Sequence, residues 1–183
     1  NENVPFAYGD LVSPDLIDYI VYDNTPLVTK DFAQPDEVEQ LIGKNCAELV
    51  PDGACLQMGI GALPNALAVA LSDHKNLGLH TEMFADGILG LIKKGVINGS
   101  CKKIDTGKVV ASFLLGSEEV YKFIDHNPDV LMKDIKYTND PWVIAQNPNM
   151  MAINSAVEVD LTGQISADSI GTRIFSGTGG QVD

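Results

Sequence analysis

Ala54-Cys55-Leu56-Gln57-Met58-Gly59-Ile60-Gly61-Ala62-Leu63-Pro64 is the stretch that decides the architecture of this chain. Following the turn-forming Pro51-Asp52-Gly53, the apolar run 54–58 reads as a buried strand. It runs into two glycines, and Pro64 suits the first turn of the helix that follows. Backbone N–H groups at such a junction can point at an anion. Glycine permits close approach or positive φ, and a helix start carries a favourable dipole. The same residues also serve as a plain tight turn, so both readings stay open. The segment lacks the third glycine of a dinucleotide fingerprint and the Gly-Lys-Ser/Thr of a P-loop.

Upstream, Val38, Leu41, Ile42, Cys46 and Leu49 fall at helical spacing, with Pro35, Asp36 and Glu37 at the start, which predicts a helix over 35–49. Downstream, helical Ala66–Leu71 gives way to strand-like Leu77–His80, then helical Gly87–Lys94. Strand-like Val109–Leu115 follows, and then helical Glu118–Asp125 with Ser117 as its cap. Strands alternating with helices imply βαβ units, hence an α/β fold with a mainly parallel sheet flanked by helices. Residues 1–34 form a lead-in segment with one expected strand, Leu16–Tyr22, among Pro5, Pro14 and Pro26. After Pro128 the chain is punctuated by Asn, Asp and Pro, and a last strand is expected at 150–161 before a Gly-rich end.

With 183 residues and 45% hydrophobic content, the chain can bury the core of one α/β domain or slightly more. A net charge of −13 argues against nucleic acid or an anionic membrane as partner, since both need clustered positive charge. A phosphate-bearing ligand would have to meet local helix N-termini, a few lysines, or chain beyond this one. There is no apolar run of about 18 residues and no signal-peptide pattern, so the expected compartment is the cytoplasm. Cys46, Cys55 and Cys101 are odd in number and widely spaced, which suits reduced thiols in a core.

Three further groups can carry chemistry. Glu158 lies in a run with Met150, Met151, Ile153, Ala156, Val157, Val159 and Leu161 that a strand would largely bury. A carboxylate there either faces solvent, as its alternation with Asp160 and Thr162 suggests, or sits in a cleft for a purpose. Ser176-Gly177-Thr178-Gly179-Gly180-Gln181 can present N–H groups in a nest or turn a corner. In Leu79-His80-Thr81-Glu82-Met83, a strand continuing through Glu82 would put the imidazole and the carboxylate on one side. His74 and His126 complete no metal set, and no G-x-S-x-G elbow supports a serine hydrolase.

Gly59–Pro64, His80-Thr81-Glu82-Met83-Phe84-Ala85-Asp86-Gly87, Phe123–Pro128, Asn139-Asp140-Pro141, Asn154-Ser155-Ala156-Val157-Glu158-Val159-Asp160-Leu161-Thr162-Gly163-Gln164 and Ser176–Asp183 together resemble the acetyl-CoA hydrolase/transferase family, in the family's order. The resemblance implies two tandem α/β domains. Residues 1–34 would be the end of the first and a connector, and 35–183 the second, truncated at its C-terminal end. It implies a CoA-transferase exchanging CoA between a short-chain acyl-CoA (4-hydroxybutyryl-, butyryl- or acetyl-CoA) and a carboxylate, as a cytoplasmic homodimer. Catalysis would use Glu158 as covalent nucleophile through a glutamyl-CoA thioester, with no metal or redox cofactor. The Gly59-Ile60-Gly61 and Gly177-Thr178-Gly179-Gly180 loops would serve the oxyanion and CoA, and Gln57, Asn154 and Glu82 would contact substrate. An acyl-CoA hydrolase on the same scaffold and a noncatalytic ligand-binding α/β fragment are the alternatives.

Overall fold

The computed structural model describes residues 1–30, 33–59, 61–177 and 179–180. Its centre is a six-stranded parallel sheet. In chain order the strands of the structure are β1 (Tyr8–Gly9), β2 (Cys55–Met58), β3 (Gly78–His80), β4 (Met83–Phe84), β5 (Val109–Ala111), β6 (Phe113–Leu114), β7 (Val130–Met132) and β8 (Met150–Ile153). Short ribbons follow, from β9 (Glu158–Val159), β10 (Ile165–Ser166), β11 (Ser169–Ile170) and β12 (Arg173–Ile174). The helices are α1 (Glu37–Ala47), α2 (Ala62–Ala70), α3 (Asp86–Lys93), α4 (Glu118–Ile124), α5 (Ile135–Thr138) and α6 (Pro141–Ile144).

The central sheet runs β1-β7-β5-β3-β2-β8. From β2 the chain builds outward in one direction through β3, β5 and β7, then returns to add β8 on the other side of β2. Strand order therefore reverses at β2 and β8, and in open parallel sheets ligands bind beyond the carboxyl ends of the strands at that point. β2 carries little polarity because it is interior: Cys55, Leu56 and Met58 are buried, and only Gln57 is half-exposed. Leu56, Leu79, Leu67, Leu71, Phe84 and Ile88 are fully buried around it and fill the space between sheet and helices. Lys102 is also buried, its ammonium donating to the carbonyls of Leu79 (3.1 Å) and Lys108 (2.9 Å), which holds the 99–108 loop to the sheet. Burial lowers its pKa.

Helix α1 starts on a full capping box: Asp36 accepts from the Glu39 N–H, and Glu39 accepts from the Asp36 N–H, each at 2.8 Å. It buries Gly43 and Ala47 and leaves Val38 and Leu41 exposed. Small residues let its backbone lie directly on α2. The helical period is as expected, but the apolar stripe faces outward.

Two expected strands differ. Leu16–Tyr22 is not a strand: Pro14–Leu16 form one 3-10 turn capped by Ser13, and residues 17–30 lie in no ladder. The sheet edge beside β7 is already taken by Tyr8–Gly9. The 150–161 strand is broken. Only Met150–Ile153 pairs with β2, the ladder ending where β2 ends at Met58; further on, Asp160 accepts from the N–H groups of Thr162 (2.8 Å) and Gln164 (2.9 Å) and Gly163 takes φ +86°. That turn folds the later residues into the separate β9–β10 ribbon. The 109–115 strand likewise divides at Ser112 into β5 and β6. Of the cysteines, Cys55 is buried and the half-buried Cys46 packs against the core, whereas Cys101 is exposed, away from the core position expected of all three.

Candidate active site

At the carboxyl ends of β2, β3 and β8 lies a cleft of about 440 Å³. β2 contributes Gln57 and Met58 and leads into Gly59, β3 ends at His80 and leads into Thr81 and Glu82, and β8 leads into Asn154. The cleft exists because β2 and β3 part beyond their paired residues Leu56 and Leu79. Thr81 makes good the parted ladder: its hydroxyl donates to the Met58 carbonyl at 3.0 Å and accepts from the Met58 N–H at 3.3 Å. Across β2 and β8, the Gln57 and Asn154 side-chain amides pair with each other, at 3.3 Å and 3.2 Å.

The acidic group in this cleft is Glu82, half-buried just past the end of β3. Its Oε2 accepts from Asn139 Nδ2 at 2.8 Å. Asn139 follows α5, whose last residue, Thr138, is buried and donates through its hydroxyl to Asn139 Oδ1 at 3.2 Å. Ser112 Oγ bonds the same hydroxyl, and the Thr138 carbonyl accepts from His80 Nε2 at 2.9 Å. Carboxylate, amide, hydroxyls and imidazole thus form one connected wall. Gly180 closes it from the other side. A Cβ there would overlap the Asn139 amide and the Glu82 carboxylate, so a side chain at position 180 would have to displace the pair.

The bond to a carbonyl makes Nε2 the protonated nitrogen of His80, leaving Nδ1 as a buried acceptor without a protein partner among the described residues. Burial holds the His80 pKa below 6.5. The imidazole is therefore a neutral brace for Thr138. Among the described residues no group of histidine, cysteine and carboxylate side chains could hold a metal ion.

The structure brings together Gln57, Gly59, Glu82, Asn154, Gly177, Gly179 and Gly180 around this cleft. It does not bring Glu158 there. Glu158 is exposed on the β9–β10 ribbon opposite Ser166, and the Asn154 side chain is paired with Gln57. Gly61 caps α2 at φ +115° outside the cleft lining. Ile60 and Thr178 lie outside the described residues. Sequence reasoning missed Asn139, Thr138 and Ser112 as site residues. The Asn-Asp-Pro turn was visible as a motif, but the contact from residue 139 to residue 82 is tertiary.

Residues 116–183 match the model of the acetyl-CoA hydrolase/transferase C-terminal domain. The chain is 47% identical over 184 residues to the 4-hydroxybutyrate coenzyme A transferase of Clostridium kluyveri, covering 100% of this chain and 43% of that protein. It is 57% identical over 148 residues to a succinyl-CoA:acetate/propanoyl-CoA:succinate CoA transferase of Fasciola hepatica, covering 80% of this chain and 31% of that one. The solved structure of 4-hydroxybutyrate CoA-transferase from Porphyromonas gingivalis matches with a TM-score of 0.82 at 42% identity, over 88% of this chain and 41% of its own. The chain spans less than half the length of these relatives. On a parallel α/β sheet with its cleft at the strand-order reversal, and on likeness along its whole length, the chain belongs to the acetyl-CoA hydrolase/transferase family.

Proposed function

We propose that this chain carries the nucleophile half of a CoA-transferase site, exchanging CoA between a short-chain acyl-CoA and a carboxylate, and that the nucleophile is Glu82 in place of Glu158. One observation carries this. Glu82 is a carboxylate in the cleft at the strand-order reversal, hydrogen-bonded by Asn139 and flanked by the glycine backbone of residue 180. Glu158 sits on an exposed ribbon without such surroundings.

The chemistry follows from the inability of two carboxylates to exchange a thiol directly. A Glu82 oxygen attacks the thioester carbonyl, and collapse of the tetrahedral intermediate breaks the C–S bond, giving an acyl–glutamyl anhydride and CoA thiolate. The thiolate attacks the glutamyl carbonyl, releasing the first carboxylate and leaving glutamyl-CoA thioester. The acceptor carboxylate then runs the same steps in reverse. Each intermediate carries an oxyanion, for which backbone N–H groups around Gly59 and Gly179–Gly180 are the available donors. Asn139 aims the carboxylate and leaves its other oxygen to react. The steps use carbonyl, carboxylate and thiol groups alone.

Borohydride trapping with mass spectrometry tests the assignment in the intact protein. Acyl-CoA exposure followed by reduction should modify the peptide holding Glu82, and Glu82→Gln should lower transfer by on the order of 10³-fold or more. Adduct on Glu158, or loss of transfer in Glu158→Gln with Glu82→Gln active, would return the role to Glu158. The family's description also includes hydrolases. CoA release from acyl-CoA without added carboxylate would show that water takes the acceptor's place.

A further inference from the structure

The cleft has a second lobe. A more open cavity of about 500 Å³ adjoins the first and shares Glu82, Asn139, Gly179 and Gly180 with it. The inner lobe has an apolar side from Met83, Phe113, Ile144 and Met150, and no lysine or arginine among its described lining residues. The outer lobe has one, Lys136, three residues before Asn139 on α5. Its side chain is exposed and takes part in none of the ion pairs found among the described residues. The other acidic side chain in that lobe, Asp140, is engaged as the cap of α6, accepting from the Trp142 N–H at 2.8 Å.

Position and charge together bear on the substrate. The chain has 12 basic against 25 acidic residues, and Glu82 adds negative charge inside the site. Lys136 is the only lysine or arginine among the described residues lining the two lobes, so it is the one cationic side chain there for a substrate group that is anionic away from the reacting carbonyl. Resting on the proposed CoA-transferase function, we infer that Lys136 is the residue of this chain that recognises the substrate's second anionic group, in the outer lobe, while the reacting carbonyl lies at Glu82 in the inner one. Two substrate groups share that chemistry: a phosphate of CoA, and the distal carboxylate of a dicarboxylic acyl group. A neutral short acyl chain fits the apolar side of the inner lobe and needs no cation.

Lys136→Ala and Lys136→Arg in the intact protein separate these sources. KM is measured for butyryl-CoA against butyryl-pantetheine, which lacks the phosphates, and for succinate against butyrate as acceptor. A charge-assisted hydrogen bond at an open site is worth about tenfold. If the group is a phosphate, Lys136→Ala raises KM about tenfold for butyryl-CoA and not for butyryl-pantetheine. If it is a carboxylate, the rise appears for succinate and not for butyrate. Lys136→Arg restores most of the effect in either case, and raised salt weakens wild type more than Lys136→Ala. Equal changes across all four substrates, or none, overturn the inference. Should the wild type transfer no CoA at all, the proposed function fails. Lys136 is then judged by calorimetric Kd values for CoA, pantetheine and succinate, where the absence of a selective tenfold loss in Lys136→Ala overturns it separately.

Discussion

Asn139 Nδ2 donates to Glu82 Oε2 at 2.8 Å, joining the turn after α5 to the end of β3 across 57 residues of sequence. A hydrogen bond to a charged group is worth about 1.5–3 kcal/mol, and here it also fixes which carboxylate oxygen is free to react. Asn139→Ala is expected to lower kcat by roughly 10–100-fold. The Tm should move little, since Asn139 is only half-buried and Thr138 keeps its bonds to Ser112 and His80. Steady-state kinetics beside a melting curve check it. A large Tm loss with unchanged kcat would assign Asn139 to folding.

Gly180 meets the same pair from the Gly-rich end of the chain. A Cβ at this position falls inside contact distance of both the Asn139 amide and the Glu82 carboxylate. Gly180→Ala should therefore push the pair apart or lift the loop away, and the expected loss is about 10²-fold in kcat, the scale of one misplaced oxyanion donor. Gly177 is the control: a Cβ there meets nothing within 4 Å, so Gly177→Ala should cost far less. Comparable losses in both variants would mean that backbone freedom, not close approach, is what the loop requires.

Behind the pair, His80 supplies a pH dependence of stability. Its folded pKa lies below 6.5 because burial penalises the imidazolium. The bond to the Thr138 carbonyl and the charge of Asp105 act in the opposite sense, and Lys102 adds to the depression. The unfolded chain takes up the proton first, so as pH falls through about 6.5 the unfolded state gains and the fold loses stability, until the folded pKa is reached. Above 6.5 both states hold a neutral ring and this contribution is flat. Glutamine can donate from its Nε2 to Thr138 without titrating, so His80→Gln should flatten the Tm-against-pH curve just below about 6.5. An unchanged slope would assign the acid sensitivity to other groups.

Much of the α/β alternation was legible in the residues. The apolar runs at 54–58 and 77–80 and the acidic start of the first helix act locally, and each lies close to where its pattern predicts. The failures share a physical cause. Whether Leu16–Tyr22 pairs depends on a free sheet edge, and the distant Tyr8–Gly9 had taken it. Where Glu158 lies depends on β8 stopping with β2 at Ile153 and on the Asp160 turn, which pairs Glu158–Val159 with Ile165–Ser166 in a separate ribbon. The partner of Glu82 is set by a contact from residue 139, which no local periodicity encodes. The same holds for α1, whose stripe of Val38 and Leu41 reads as a core face yet lies outward, while Gly43 makes the contact with α2.

That last contact decides the sign of two like substitutions. A Cβ on Gly43 would lie 2.7 Å from the carbonyl carbon of Ala66 and 2.8 Å from the Leu67 nitrogen. Both are backbone atoms, so no rotamer change relieves the overlap and α1 must move off α2. Replacing glycine by alanine inside a helix gains about 0.5–1 kcal/mol from backbone entropy, whereas forcing extra volume into a packed contact costs about 1–3 kcal/mol. The clash wins, and Gly43→Ala should be destabilising. Gly90 in α3 presents the opposite case, since it is exposed and a Cβ there meets nothing within 4 Å. Only the entropy gain remains, so Gly90→Ala should stabilise by about 0.5–1 kcal/mol. Urea unfolding of the two variants against wild type reads both signs, and a stabilised Gly43→Ala would show that α1 does not lie against α2 in solution.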